Sequence, residues 1–267
     1  MDNDIPEGAI PQKLIEVASS RGVKVLFAVE SGSRAWGLES NDSDYDIRFV
    51  FARPLKDYLR LNPKGEVIDF AFDKNMNPCP VEGSQYDFLG FDVYKFCRML
   101  QASNPSAIEW MMSKIHYYGE RPKAFYQFLD ENMKCIALYY HYKSMCKQNY
   151  LKYLKTGECV SYKKYLYAFR GLVNARWVAT HGTIPPIRFE EAFERMKDKF
   201  PKNIVEDVEE VIRLKKESNE KEIVQNNPRI DNYIEESLKD NSDAPENTKR
   251  PVTTTMLDRE IYKQVTG

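Results

Sequence analysis

Ser31-Gly32-Ser33-Arg34-Ala35-Trp36-Gly37, followed by Asp42-Ser43-Asp44-Tyr45-Asp46, is the stretch that decides the fold. It is preceded by Val23 to Val29, a nearly continuous apolar run of the kind a strand buried on both faces requires. Tyr45 to Ala52 reads as the next strand. Gly32-Ser33 therefore sits between a buried strand and a helical turn. A glycine there lets backbone N–H groups approach a phosphate, the serine hydroxyl adds a donor, and a helix start adds positive potential. Asp44 and Asp46 are two residues apart, so a strand projects both carboxylates from one face. Adjacent carboxylates repel unless a cation lies between them. Mg²⁺, held by one or two carboxylates plus substrate phosphates, is the natural resident.

Outward from this stretch the chain alternates helix and strand, then becomes helical. Pro11 opens a helix through Ser20, with Leu14, Ile15 and Ala18 on one face, and Gly22 ends it. Pro54 to Leu61 reads as a short helix. Glu66 to Phe72 and Gln85 to Leu89 read as strands around a loop holding Pro78 and Pro80. Asp92 is an N-cap candidate for a helix through Phe96, Met99 and Leu100, and another helix follows Asn104-Pro105. From about residue 121 strand signals vanish. Helical patterns cover Lys123 to Asn132, Lys134 to Lys155 and Tyr162 to Thr180. Pro185-Pro186 interrupts them, two or three helices follow from Glu190 to about Lys239, and Asn241 to Thr255 is polar and turn-rich. The expected fold class is α/β (α+β): a core with a small mixed sheet, followed by an all-α C-terminal domain. The expected division is 1–118 for the site-bearing domain, 119–240 for a helical domain completing the cleft, and 241–267 for a polar loop and tail.

Composition narrows the class. The 267 residues are 42% hydrophobic and 13% aromatic, which excludes wholesale disorder, and 12 glycines exclude a collagen-like chain. The formal net charge is −1, which excludes a globally basic nucleic-acid binder but not a local basic patch. No run of about 18 apolar residues spans a membrane. Met1-Asp2-Asn3-Asp4 lacks the features of a signal peptide. Cys79, Cys97, Cys135, Cys146 and Cys159 form no CxxC pair, so reduced thiols and a cytoplasmic setting are expected. His116, His141 and His181 are too scattered for a zinc site.

Other phosphate and metal motifs are absent. There is no GxxxxGK[ST] and no GxGxxG. An EF-hand over Asp42, Asp44 and Asp46 fails, since Ile47 and Arg53 stand where such a loop needs Gly and Glu. Gly32-Ser33, ten residues and Asp44-Tyr45-Asp46 instead match the signature of the DNA polymerase β-like nucleotidyltransferase superfamily. Gly32 to Leu38 and Asp42 to Phe49 more narrowly resemble the RNA repair pathway polymerase β family. Gly90-Phe91-Asp92, Ser103-Asn104-Pro105, Glu109-Trp110, Lys163 to Tyr167, Ala175-Arg176-Trp177 and Pro185-Pro186 extend the likeness over roughly residues 20 to 190.

The resemblance implies a Mg²⁺-dependent transfer of a nucleoside monophosphate from an NTP to a hydroxyl, with two Mg²⁺ ions that Mn²⁺ could replace. Asp44 and Asp46 are implied as ligands of the first ion. A later strand supplies a third carboxylate, which helps hold the second ion and draws the acceptor proton. Asp87, flanked by Tyr86 and Phe88, is the choice; Asp69, in Ile68-Asp69-Phe70, is the rival. Gly32 and Ser33 are implied for the donor phosphates. Arg34 is either a further phosphate ligand or part of a surface ion pair.

The helical half adds charge. Nine basic residues and one acid, Glu158, lie between 134 and 176, a local charge of +8 that suits a polyanion. Tyr139, Tyr142, Cys146, Tyr150 and Tyr153 share a helix face, read as core packing in preference to base stacking. Lys163, Tyr167, Arg170 and Asn174 share a polar face opposite Tyr165, Phe169 and Leu172. That face is either solvated or, as the family-like pattern implies, closes over the nucleotide through Lys163 and Arg170. An RNA end is the favoured acceptor. Transfer to a protein or small molecule, or a non-catalytic nucleotide- or RNA-binding role, stays open.

Overall fold

The computed structural model describes residues 8–40, 42–156, 160–217, 224–247 and 252–267. Met1-Asp2-Asn3-Asp4, Glu158 and Cys159 lie outside the described residues. Helix α1 (Ala9–Arg21) ends at Gly22, whose φ of 64° is the left-handed conformation a helix terminus favours. Strand β1 (Lys24–Glu30) is buried at every residue after Lys24. A short helix, α2 (Gly32–Trp36), leads through a loop to β2 (Tyr45–Ala52). Next come α3 (Leu55–Tyr58), β3 (Val67–Phe72), the two-residue β4 (Pro78–Cys79) and β5 (Tyr86–Asp92). The Asp92 carboxylate accepts the Tyr94 N–H at 2.9 Å and starts α4 (Val93–Gln101). Asn104 accepts the Ser106 N–H at 2.9 Å and, with Pro105, starts α5 (Pro105–Met112). Strand β6 (His116–Gly119) follows; neither it nor β4 was expected from sequence, because runs this short carry no periodicity.

The six strands form one mixed sheet in the order β4-β3-β5-β2-β1-β6. Strands β2 and β5 are parallel and the other neighbours antiparallel. Ile10, Leu14 and Ala18 of α1 pack on one face against Ala28, Ile47, Phe49, Phe51 and Phe88. The other face packs Phe27, Val29 and Val50 against α4, α5 and the helices that follow.

The helices after β6 are α6 (Lys123–Asn132), α7 (Cys135–Asn149), α8 (Tyr162–His181), α9 (Phe189–Met196), α10 (Lys202–Glu217), α11 (Pro228–Lys239) and α12 (Thr255–Thr266); of these α6, α7, α8 and α12 join the sheet-facing core, and α9, α10 and α11 pack with α8 in a second core. The pattern expected to run from Lys134 to Lys155 divides into α7 and a π-helical turn, Tyr150–Leu154. Tyr139, Tyr142, Cys146 and Tyr150 are buried, the packing role expected of them. Burial pushes the Cys97 thiol up to about 12 and the Cys146 thiol upward. Residues 255–266, within the segment read as loop and tail, are helical: Leu257 and Ile261 enter the sheet-facing core. That core joins residues on both sides of position 118.

Helix α8 lies at the centre of the helical half and touches α7 very closely. A Cβ on Gly171 would stand 2.8 Å from the Cys146 Cβ and 2.8 Å from the Tyr142 carbonyl oxygen. Gly171→Ala is therefore expected to destabilise by about 1–3 kcal/mol through overpacking, read as a lowered thermal midpoint.

Candidate active site

The site begins where the register of β2 and β5 brings two carboxylates together. Tyr45 pairs with Tyr86 and Asp46 with Asp87. The two aspartates are thus lateral neighbours on one face of a parallel pair. Arg48, two residues after Asp46 on the same face, lies between them: its Nη2 donates to Asp46 Oδ1 at 2.5 Å and to Asp87 Oδ2 at 2.8 Å. Its Nη1 donates to the Asp87 carbonyl at 3.1 Å, which ties the guanidinium to the strand. Asp69 pairs with Leu89 on the next strand out and is exposed. The register thus favours Asp87 over Asp69 as the partner of Asp46. Asp44 is exposed and immediately precedes β2. Among the described residues no group of three His, Cys, Asp or Glu side chains is drawn together tightly enough to hold a metal ion.

The other wall is the Gly-Ser turn. The Ser31 N–H donates to the Asp46 carbonyl at 2.9 Å, which pins the turn to β2. Gly32 has φ +60°, and a Cβ there would stand 1.8 Å from Asp46 Oδ2. Only glycine fits on both counts. Ser33 is 3% exposed, and its carbonyl accepts the Leu38 N–H at 2.9 Å. Arg34 turns to the backbone: it donates to the Ser43 carbonyl at 2.7 Å and the Asp44 carbonyl at 3.2 Å, with its guanidinium 3.8 Å from the Tyr45 ring centre. It braces the segment that carries Asp44, a role the sequence reading did not assign.

Glu30 and Arg48 were missed as site residues. Glu30 is fully buried at the end of β1; its carboxylate accepts the Asp46 N–H at 2.7 Å and the Tyr117 hydroxyl. Burial pushes its carboxyl up to about 7, against the opposing pull of these hydrogen bonds. The available signals were a carboxylate closing an apolar strand and the alternation Asp44, Asp46, Arg48.

Helix α8 does not present the continuous polar face expected of it. Arg170 and Asn174 are buried, at 4% and 3% exposure. Arg170 Nη1 donates to Glu109 Oε1 at 2.7 Å, and its guanidinium lies 3.7 Å from the Trp36 ring centre. The Trp36 indole N–H donates to Glu109 Oε2 at 2.9 Å. The expectation that Arg170 faces solvent or nucleotide is corrected here, because Glu109 of α5 reaches it from another element. Tyr167 meets Trp36 edge-on at 5.2 Å, and Lys163 Nζ lies 5.6 Å from the Tyr167 ring centre. Tyr167 thus meets the last residue of the helix that starts at Gly32, and Lys163 stands beside Tyr167.

Much of the +8 is answered inside the fold. Lys155 lies 3.6 Å from Glu235, and Arg176 lies 4.0 Å from Asp243. Lys143 is buried and donates to the Asp240 carbonyl and, at 2.9 Å, to Asn241 Oδ1.

The Trp36–Glu109–Arg170 network couples α2, α5 and α8. Arg170→Ala is expected to cost about 3–5 kcal/mol, since it strands a buried carboxylate. Arg170→Ala with Glu109→Ala should cost less than the sum of the single changes, in denaturant titrations of all four proteins.

The uncharacterized protein YcgL of Bacillus subtilis (strain 168) is 36% identical over 182 residues, covering 67% of this chain and 66% of that protein. The chain therefore spans just under two thirds of that relative's length. Among solved structures, the spectinomycin adenyltransferase AAD(9) from Enterococcus faecialis, with ATP and spectinomycin, shares 14% identity at TM-score 0.46 and covers 88% of this chain and 98% of its own. A nucleotidyltransferase-like protein from Exiguobacterium sibiricum 255-15 shares 12% at TM-score 0.32, covering 97% of this chain and 75% of its own. The model of the RNA repair pathway DNA polymerase beta family matches residues 7–262, and the chain belongs to that family of polymerase β-like nucleotidyltransferases.

Proposed function

We propose that this chain moves a nucleoside monophosphate from an NTP to a hydroxyl acceptor, and that the acceptor is an RNA end. The observation that carries the reading is the in-register pair Asp46 and Asp87, converging on one cationic group beside Gly32. The donors are all carboxylate oxygens, the type a hard dication takes, although they are not drawn into a three-ligand cluster in this structure. Arg48 takes one oxygen of each carboxylate, and the second oxygen of Asp46 faces the Gly-Ser turn. Asp44, Asp46 and Asp87 would hold Mg²⁺ or Mn²⁺. When bound, two such ions neutralise the triphosphate and stabilise the attacking and leaving oxygens.

The chain's own residues supply the rest. Gly32 and Ser33 grip the donor phosphates, and Lys163 adds positive charge from α8. Asp87 accepts the proton of the attacking hydroxyl. The new bond forms between that oxygen and the α-phosphorus, the bond to the β-phosphate breaks, and pyrophosphate leaves. Arg48 and Glu30 hold the Asp46 carboxylate and backbone in place, so catalysis is positioning and electrostatics. No helix among the described residues is long and apolar enough to cross a membrane.

Pyrophosphate release with Mg²⁺, each of four NTPs and pooled RNA tests the reading. Release should depend on RNA, select among the NTPs, stop with EDTA, and fall at least about 100-fold in Asp44→Ala and Asp87→Asn. Undiminished release by either variant would sink the site assignment. Label from an α-labelled NTP arriving on protein instead of RNA would move the acceptor to another class.

A further inference from the structure

Several lysines of the basic segment, Lys134 and Lys147 among them, form no ion pair within the described residues, and two others of this set stand together. Lys152, on the π-helical turn, and Lys164, in the first turn of α8, meet no carboxylate among the described residues. Both converge on one ring: Lys164 Nζ lies 3.7 Å and Lys152 Nζ 4.9 Å from the centre of Tyr153. Two ammonium groups gathered on one phenol repel each other, and an anion between them removes that cost. Tyr153 is half-buried and Lys152 exposed, unlike the buried Tyr150 and Leu154 of the same turn. A π-helical turn changes the direction of side chains, and here it directs Lys152 and Tyr153 outward.

The start of α8 adds to this. Its first turn has no acidic residue and holds Lys163 and Lys164, the reverse of the charge a helix N-terminus favours. Ser161 makes no side-chain capping bond. Lys163 lies over Tyr167, and Tyr167 meets Trp36, the last residue of the helix that carries Gly32-Ser33. Lysines and aromatic rings therefore alternate from the π-helical turn to the Gly-Ser turn.

Building on the RNA-acceptor reading above, we propose that Lys152, Tyr153 and Lys164 form the docking track for the single-stranded end of the acceptor RNA. Tyr153 stacks an unpaired base and the two lysines contact flanking phosphates. Interleaved cations and aromatic faces suit a single strand, whose bases are free to stack, and not a duplex.

The test is binding of a fluorescent single-stranded RNA across a salt series, with a blunt duplex of the same sequence alongside. Lys152→Ala/Lys164→Ala should weaken single-strand binding and make the log–log salt slope shallower by about 1.4, or 0.7 per lost phosphate contact. Tyr153→Leu should weaken it on the order of tenfold, and Tyr153→Phe should restore it. NTP affinity and thermal midpoints should stay at native values. Wild-type affinity and salt slope in the double lysine variant would overturn the track. A native protein that binds no single strand, yet releases pyrophosphate with another acceptor, also overturns it and leaves nucleotidyl transfer standing. Track-dependent RNA binding without any transfer of label supports the track and rejects the transfer reaction.

Discussion

Asp46 and Asp87 occupy the same register on parallel strands, and their mutual repulsion is the constraint around which this end of the sheet is built. At an effective dielectric constant near 20, two like charges about 4 Å apart cost on the order of 4 kcal/mol. Arg48 relieves that cost by donating to both carboxylates from the same face of β2. Gly32 then lets the Gly-Ser turn come within contact of Asp46, an approach that any side chain at position 32 would block. Glu30 fixes the Asp46 backbone from behind. Each of these residues has a short list of alternatives, because each answers a specific charge or steric requirement of the same pair.

The helical half is held to this end of the sheet by a second buried polar cluster. Glu109 receives both the Arg170 guanidinium and the Trp36 indole N–H, and Arg170 stacks on Trp36. Trp36 ends the five-residue helix that starts at Gly32, so the orientation of the Gly-Ser turn is tied to α8. A buried ion pair is a poor source of net stability but a strong source of registration, since breaking it leaves a buried charge. The placement of Tyr167 against Trp36 goes with that registration.

The basic segment also changes meaning in three dimensions. In the linear chain it is a block of nine cations with one acid. In the fold, Arg170, Lys155 and Arg176 meet carboxylates from α5, α11 and the segment after it, and Lys143 meets oxygens of Asp240 and Asn241. The lysines that form no ion pair among the described residues include Lys134, Lys147, Lys152 and Lys164, and the last two meet at Tyr153.

The sequence by itself determined most of the elements, β4, β6, the π-helical turn and α12 apart, and the chemistry of their ends. The apolar run before Ser31, the alternation through β2, the caps at Asp92 and Asn104, and the apolar faces of the long helices are local properties, fixed by period and by backbone hydrogen bonding. Asp44 and Asp46 were read as a pair from the same period, and the strand itself begins at Tyr45, one residue after Asp44. Tertiary structure decided which strands are neighbours, and with that the pairing of Asp87 and not Asp69 with Asp46, since register depends on a crossover of more than thirty residues between β2 and β5. It decided that Arg170 is a buried partner of Glu109, because helical periodicity gives a side chain's direction but not what waits opposite. It also decided that Arg34 braces a backbone and that Glu30 lies behind Asp46, contacts made between residues that the sequence keeps apart.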